Sequence, residues 1–570
     1  MNLHKIISES IIKELAGIPA LAGADLSQIA VETPKNREFG DFATNAAMVL
    51  ARPLKQNPRL IADMMLPHIA ALSFVADTSI AGPGFINIKL KDGFILEFVQ
   101  NKQEIKNQKS EVIDLDYGSY NVAKSLHIGH LRGGIIGDTF YRIAKYLGHR
   151  PISYNHLGDW GKPMALVIAW IIKKFPNDWN KPEFKIDESE FNTYYPTASE
   201  YSKQDPEFLT QVLNIKKDFQ DGHPDYFALY EKMLKISLRQ MSDVVHSLNM
   251  LPFDNNLGER NAAKYLAPVE KILRDKNLLQ ESDGAEVIVL KREDDKAPMP
   301  PYMWTDSRGA DTYDSTDLAA VYYKKITDNP DKMIFFTDYR QQLHFAQLFR
   351  AAELSGIYPS DKMEFPYFGG INGADGRPYK TRSGNVAGLL DIIGMVNDAA
   401  RARVAESGKN LPDDIIEMIA LSALKFNDLM HDMKSDYVFD PDAVTQFEGR
   451  TGPYILYTAV RMNSVLKKAG NQSAALSADL LVNEERELIL TILDFERVIQ
   501  NAFEKRATDM LANYAYDLAQ LINTFYHNCP ILREDVNADT RAHRLGIVRI
   551  AIAALSKAVD LMGMKIPEEM

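Results

Sequence analysis

EVIDLDYGSYNVAKSLHIGHLRGGIIGDTFYRIAKYLGHRPISYN, residues 111–155, decides the fold. Glu111 to Tyr117 is short, apolar and rich in β-favouring residues, as a strand buried inside a parallel sheet must be. A loop follows. Leu131, Ile135, Ile136, Phe140, Ile143 and Leu147 then recur at helical spacing up to Gly148, a residue type suited to ending a helix. Pro151 to Asn155 reads as a second strand. Strand, loop, helix, strand is a βαβ unit, which predicts a doubly wound, Rossmann-like nucleotide fold. Further strands are expected near Glu286 to Leu290 and Met333 to Thr337. The helical, charged stretch from Lys173 to about Ser282 reads as an insertion between the two halves of the sheet.

Outward from this unit, the chain divides in three: residues 1–106, 107–388 with the insertion at about 173–282, and 389–570. The first part reads as a small α/β domain. It has helical patterns at Ile6 to Ala16 and Phe42 to Ala51, a loop at Thr33 to Asp41 and a strand at Gly84 to Leu90. The polar run NKQEIKNQKSE, Asn101 to Glu111, is the candidate linker. From Leu389 onward strands vanish and amphipathic stretches follow, among them Pro412 to Leu429, Glu484 to Asn501 and Ala507 to Tyr526. The fold class expected is therefore α/β multidomain with an all-helical C-terminal domain.

Composition narrows the classes of function. The 570 residues hold 65 Lys and Arg against 77 Asp and Glu, a formal net charge of −12. Taken at face value this argues against a nucleic-acid partner, although binding depends on the local field rather than on the total. A single cysteine excludes an internal disulfide framework and a four-thiolate zinc site, and it fits a reducing compartment. The opening MNLHKIISESIIKELAG is amphipathic and lacks the apolar core of an export signal. The apolar run Met164 to Ile172 is far short of a membrane span. A cytoplasmic protein with no membrane partner is expected.

The chemistry is concentrated in the loop Asn121-Val-Ala-Lys-Ser-Leu-His-Ile-Gly-His130. His127 and His130 are three apart at the opening of a helix and can point the same way. Gly129 lets a ligand approach the backbone. The helix N-terminus offers free N–H groups and positive partial charge at the carboxyl end of a parallel strand, which suits a polyphosphate. Two imidazoles there can donate hydrogen bonds to phosphate oxygens as charge builds during displacement at phosphorus. The bland alternative is a pair of capping or metal-binding histidines, but a metal site usually wants three or more ligands. No metal site is expected.

DLDYGSYNVAKSLHIGHLRGGIIGDT followed by NHLGDWGKP resembles the active-site region of class I aminoacyl-tRNA synthetases, specifically arginyl-tRNA synthetases. TDYRQQLHFAQLF (337–349), DGRPYKTRSG (375–384) and EGRTGPYILYTAVR (448–461) resemble family blocks in the family's order. So do GDFATNAAM and AGPGFIN near the start and MGMKIPEEM at the end. The resemblance implies an arginine–tRNA ligase. ATP with Mg²⁺ would activate L-arginine to arginyl-adenylate, and the arginyl group would pass to the 3′-terminal adenosine of tRNA(Arg). A monomer is expected, and with a single cysteine no protein-bound zinc is expected. His127 and His130 would stabilise adenylyl transfer, with Gly129 and His130 at the ATP. The family's second signature, KMSKS, is altered here to Pro378-Tyr379-Lys380-Thr381-Arg382. Lys124, just ahead of the HIGH tetrad, would supply the missing charge, with Lys380 and Arg382 also placed at the ATP.

A guanidinium is planar, always charged and offers five donors, so its pocket needs fixed carboxylates and an aromatic face. Asp116 closes the first core strand, where ligands bind in open α/β sheets. Tyr313 and Asp317 are four apart at the start of an expected helix, Asp317 to Tyr323. The resemblance places Asp116, Ser119, Asn121, Tyr313, Asp317 and Gln341 at the arginine, although Thr316 stands where many relatives carry an arginine. For RNA, Tyr454, Tyr457 and Arg461 fall at i, i+3 and i+7 after Pro453, a stripe that either packs in the core or stacks on unpaired bases. The resemblance tips this toward the anticodon, adds Tyr526 and Met570 there, and places Phe85 and Asn87 at the tRNA elbow.

Overall fold

A computed structural model describes residues 2–34, 37–101, 110–373, 375–377, 379 and 388–570. The N-terminal part holds four strands, β1 (Val31–Glu32), β2 (Phe42–Thr44), β3 (Val75–Ala81) and β4 (Phe85–Leu90). They form one antiparallel sheet in the order β1-β2-β4-β3. The start of the expected Phe42 to Ala51 helix is thus a strand, and the helix runs from Ala46 to Leu54. Pairing overrides the helical pattern: Phe42 and Thr44 are buried against β4, and the Asp41 carboxylate accepts the Leu90 N–H at 2.7 Å.

Residues 112–364 contribute β5 (Val112–Asp116), β6 (Arg150–Leu157), β7 (Asn255–Gly258), β8 (Leu279–Ser282), β9 (Ala285–Ile288), β10 (Tyr302–Thr305), β11 (Lys332–Phe335) and β12 (Met363–Glu364). β12-β11-β5-β6-β7 form the expected parallel sheet. β7 lies within the stretch read as an insertion and adds the edge strand. The strand expected near Glu286 does not join this sheet. It is β9, the middle of a separate antiparallel sheet with β8 and β10.

The alternation of β5 explains both layers. Ile113 and Leu115 pack with Leu131, Ile135, Phe140 and Ile143 of the helix Gly129–Tyr146 on one face. Asp114 and Asp116 point to the other, where the register sets Asp116 beside Tyr154 of β6 and Phe335 of β11. The helix Tyr313–Thr327 covers that second face through Leu318 and Val321. It starts earlier than the expected Asp317, because Thr312 caps it in a reciprocal box with Ser315. Asp317 therefore sits within the helix.

Past Leu389 the chain is helical apart from a two-residue strand, Tyr437–Val438, paired in parallel with Ile371–Asn372. The expected Glu484 to Asn501 helix is broken at Asp494 into Asn483–Leu493 and Phe495–Lys505. Arg132, in the helix after the HIGH loop, locks the helical part to the sheet. Its buried guanidinium donates to Asp428 at 3.0 Å and to the carbonyls of Gly369 and Ser435.

Candidate active site and RNA-facing surface

The carboxyl ends of β5, β6, β7 and β11 open onto one cavity of about 450 Å³. Asp116, Ser119, Tyr313, Asp317 and Gln341, drawn from three separate segments, all line it. Asn121 is not among the lining residues. Its backbone pairs with Gly158, and its side chain lies where any Cβ on Gly158 would have to sit. The intervening loop is strained: Ser119 and Ala123 both hold positive φ, 50° and 57°, which non-glycine residues seldom adopt.

Asp116 is not a bare carboxylate. Lys324 Nζ lies 2.6 Å from its Oδ2, and both side chains are buried. The ammonium is boxed by the rings of Tyr154 and Phe335 at 4.4 and 4.9 Å. Beneath it, neither oxygen of Asp114 has a hydrogen-bond partner among the described residues, and burial pushes its carboxyl up to about 8.

Asp317 is flanked by histidines from two further elements. His156 Nε2 of β6 lies 3.2 Å from Oδ1, and His344 Nε2 lies 2.7 Å from Oδ2. His344 Nδ1 also sits 3.2 Å from Asp314 Oδ1. Burial opposes a charge on either imidazole, but Asp317, joined by the charge of Asp116 at His156 and by Asp314 at His344, outweighs it and raises both to about 9. In return, against the cost of burial, the two imidazoles hold Asp317 far below the usual carboxylate range. Glu259, the first residue after β7, also lines the cavity, and burial raises it to about 8.

Sequence reasoning missed His156, Glu259, Lys324 and His344. Two signals were present. His156 stands at the end of a recognised core strand, the position that singled out Asp116. Lys324 lies two helical turns beyond Asp317, on the same face.

At the neighbouring loop, the His127 and His130 rings lie 4.1 Å apart. Each Nδ1 accepts a backbone N–H at 3.1 Å, His127 from Gly129 and His130 from His127. An acceptor Nδ1 in a neutral ring leaves the proton on Nε2, so each imidazole keeps a donor for a ligand. Burial lowers both rings, helped at His127 by the Arg340 and Lys124 cations. Lys124 Nζ rests 4.3 Å above the ring of Tyr195, from the helix Glu188–Gln204. Lys380 and Arg382 lie outside the described residues. Gly388 bridges back to His127, and Leu389 N–H donates to Leu126 at 2.9 Å.

Tyr457, Arg461, Tyr526 and Met570 line a second cavity, of about 640 Å³, with Lys409, Lys468 and Arg533. The Arg461 guanidinium lies 4.6 Å over Tyr457 and 5.6 Å over Tyr526. Lys409 Nζ donates to the Met570 carbonyl at 2.6 Å. Tyr454 is turned away: its hydroxyl accepts from Asn523 at 3.0 Å, and its ring faces Tyr516 at 5.6 Å. Phe85 and Asn87 line a third cavity with Phe39, a residue 60% exposed. Among the described residues, no group of three or more His, Cys, Asp or Glu could hold a metal ion, and no helix is long and apolar enough to cross a membrane.

A parallel sheet with a HIGH loop after its first strand and a helical C-terminal region together define a class I aminoacyl-tRNA synthetase. Comparison with known proteins adds the amino acid. Residues 94–441 match the family described as tRNA synthetases class I (R), catalytic domain. Residues 455–570 match the DALR anticodon binding domain, and residues 1–90 the arginyl tRNA synthetase N terminal domain. The chain is 33% identical to an arginine–tRNA ligase of Agathobacter rectalis, with all of both chains covered. It is 34% identical to that of Alkaliphilus oremlandii, covering 93% of this chain and 94% of the relative. A crystal structure of arginyl-tRNA synthetase from Plasmodium falciparum superposes with a TM-score of 0.82 at 25% identity, covering 100% and 98% of the two chains. The chain belongs to the arginyl-tRNA synthetase family, and its activity is the ATP-dependent ligation of arginine to tRNA.

Proposed function

We propose that the 450 Å³ cavity receives L-arginine with its guanidinium at Asp317 and Tyr313. Its α-amino and carboxylate groups would then face Asp116, Ser119 and Gln341, with Asn121 reaching them only if its side chain turns away from Gly158. ATP lies alongside, over Gly129, with its phosphates met by the Nε2–H groups of His127 and His130 and by Lys124, and with Mg²⁺ as part of the nucleotide substrate. An arginine carboxylate oxygen attacks the α-phosphorus. The bond from that phosphorus to the bridging oxygen breaks, pyrophosphate leaves, and arginyl-adenylate remains. A terminal ribose hydroxyl of the tRNA then attacks the carbonyl carbon, loses its proton and displaces AMP. Neither step needs a protein nucleophile; both need positioning and charge stabilisation.

The observation that carries this reading is the convergence of Asp116, Ser119, Tyr313, Asp317 and Gln341 on one cavity at the strand ends beside the HIGH loop. Tyr457, Arg461, Tyr526 and Met570 would meet the anticodon loop, with Tyr454 behind them, and Phe85 and Asn87 the tRNA elbow. The division at 1–106, 107–388 and 389–570 follows these roles. The enzyme acts as a cytoplasmic monomer. ATP–pyrophosphate exchange in the presence of tRNA is the test. His130→Ala is expected to slow exchange with little change in tRNA affinity, and a loss confined to tRNA binding contradicts the assignment.

A further inference from the structure

Asp317 is held in an unusual way for a ligand-binding carboxylate. Its two oxygens are each engaged by a different imidazole, His156 at Oδ1 (3.2 Å) and His344 at Oδ2 (2.7 Å). The imidazoles come from different elements, β6 and the helix Gln342–Ser355. Neither lies on the helix that bears Asp317. The carboxylate plane is thus fixed from both sides, yet the group still lines the cavity and keeps 20% of its side-chain surface. An ionised carboxylate has about four lone-pair directions. His344 takes one on Oδ2 by a hydrogen bond and His156 lies within ion-pair reach of Oδ1, so at least one per oxygen remains for a ligand. Two parallel acceptors match the two parallel N–H bonds of a guanidinium edge. A lysine-type ammonium is a compact point donor and cannot satisfy that pair in plane.

We propose that His156 and His344 are positioning residues that set the site's specificity for a guanidinium, by presenting Asp317 as a fixed two-point acceptor. This rests on the reading that Asp317 meets the arginine side chain. His344 Nε2 is hydrogen-bonded to Asp317, and its Nδ1 lies 3.2 Å from Asp314 Oδ1, within ion-pair distance but without a hydrogen bond. Two carboxylates so close favour the imidazolium and, against the cost of burial, raise its pKa to about 9. The opposite shift of Glu259, pushed up by burial, leaves Asp317 as the charged acid of the pocket, while Asp116 is already neutralised by Lys324.

Two amide replacements of different reach test the clamp. His344→Gln keeps a donor able to approach Asp317, and His344→Asn carries the same amide one carbon short. Arginine and ATP KM, kcat and the inhibition constant of L-lysine are measured by tRNA-dependent exchange, together with Asp317→Asn. His344→Asn is expected to raise the arginine KM roughly tenfold or more, with the ATP KM and kcat within about threefold and the L-lysine constant little changed. His344→Gln should recover most of the loss, and His156→Asn should behave as His344→Asn does. Equal arginine KM for the Gln and Asn variants, or a matching change in the lysine constant, overturns the clamp. If Asp317→Asn itself leaves the arginine KM at the wild-type value, the Asp317 reading fails. If it raises KM while the His344 and His156 variants do not, only the clamp fails.

Discussion

The arginine cavity and the basic cavity of the C-terminal helices handle charge in opposite ways. In the first, ionic groups are matched inside the protein: Asp116 by Lys324, and Asp317 by His156 and His344. In the second, Lys409, Arg461, Lys468 and Arg533 line the wall, and no Asp or Glu side chain is among its described lining residues, although Arg533 pairs with Asp535 just outside it and Lys409 donates to Met570. Matched and buried charge gives geometry, and so discrimination between small cations of similar charge. An excess of open positive charge gives attraction, which suits a polyanion and is screened by salt. The net charge of −12 averages over both and describes neither.

The comparison can be broken in four places. The largest expected effect is at Asp317. Asp317→Ala should lower kcat/KM for arginine roughly 10³-fold, because a buried two-point acceptor is lost, while tRNA affinity stays unchanged. Exchange kinetics and tRNA filter binding read both. Next comes His130→Ala, expected to slow adenylate formation roughly 10²-fold in single-turnover assays through loss of one donor to the phosphate. Smaller again is Arg461→Ala. It should weaken tRNA binding about fivefold to tenfold and reduce the salt slope by about 1, leaving the arginine KM alone. An Arg461 variant with wild-type salt dependence would remove the contrast between the two cavities.

The smallest effect is in stability against pH. His156 and His344 have folded values near 9 against an unfolded value near 6.5. Between these limits the native state binds more protons than the unfolded chain, so their stabilisation is complete below about pH 6.5 and is lost as pH rises through about 9. Melting temperature should fall across that window. In the double variant His156→Gln/His344→Gln the slope should be shallower, and an unchanged slope would mean that the imidazoles are neutral.

How much of this was legible in the sequence depended on how local the signal was. The βαβ unit was readable because Ile113, Leu115 and the Leu131–Leu147 pattern each declare their own period. β7 was not, since NNLG has neither alternation nor β-branched residues and is a strand only because β6 pairs with it. Phe42–Thr44 read as the start of a helix for the same reason: its own residues are indifferent, and β4 decides. Within the site, Asp116 and the Tyr313/Asp317 pair could be found from a strand end and a helical spacing. His344 and Glu259 could not, because only the folded sheet brings them to Asp317 and its cavity. Tyr454 shows the limit of spacing itself. It shares a helix with Tyr457 and Arg461, but Asn523 turns it away from their cavity.

The most direct test of the account is a crystal structure of the enzyme with L-arginine bound. The account predicts two parallel N–H···O contacts from the guanidinium to Oδ1 and Oδ2 of Asp317, with His156 and His344 still in place on the outer sides and Tyr313 against the guanidinium. An arginine bound the other way, with its guanidinium at Asp116 and its α-carboxylate near the histidines, would contradict it.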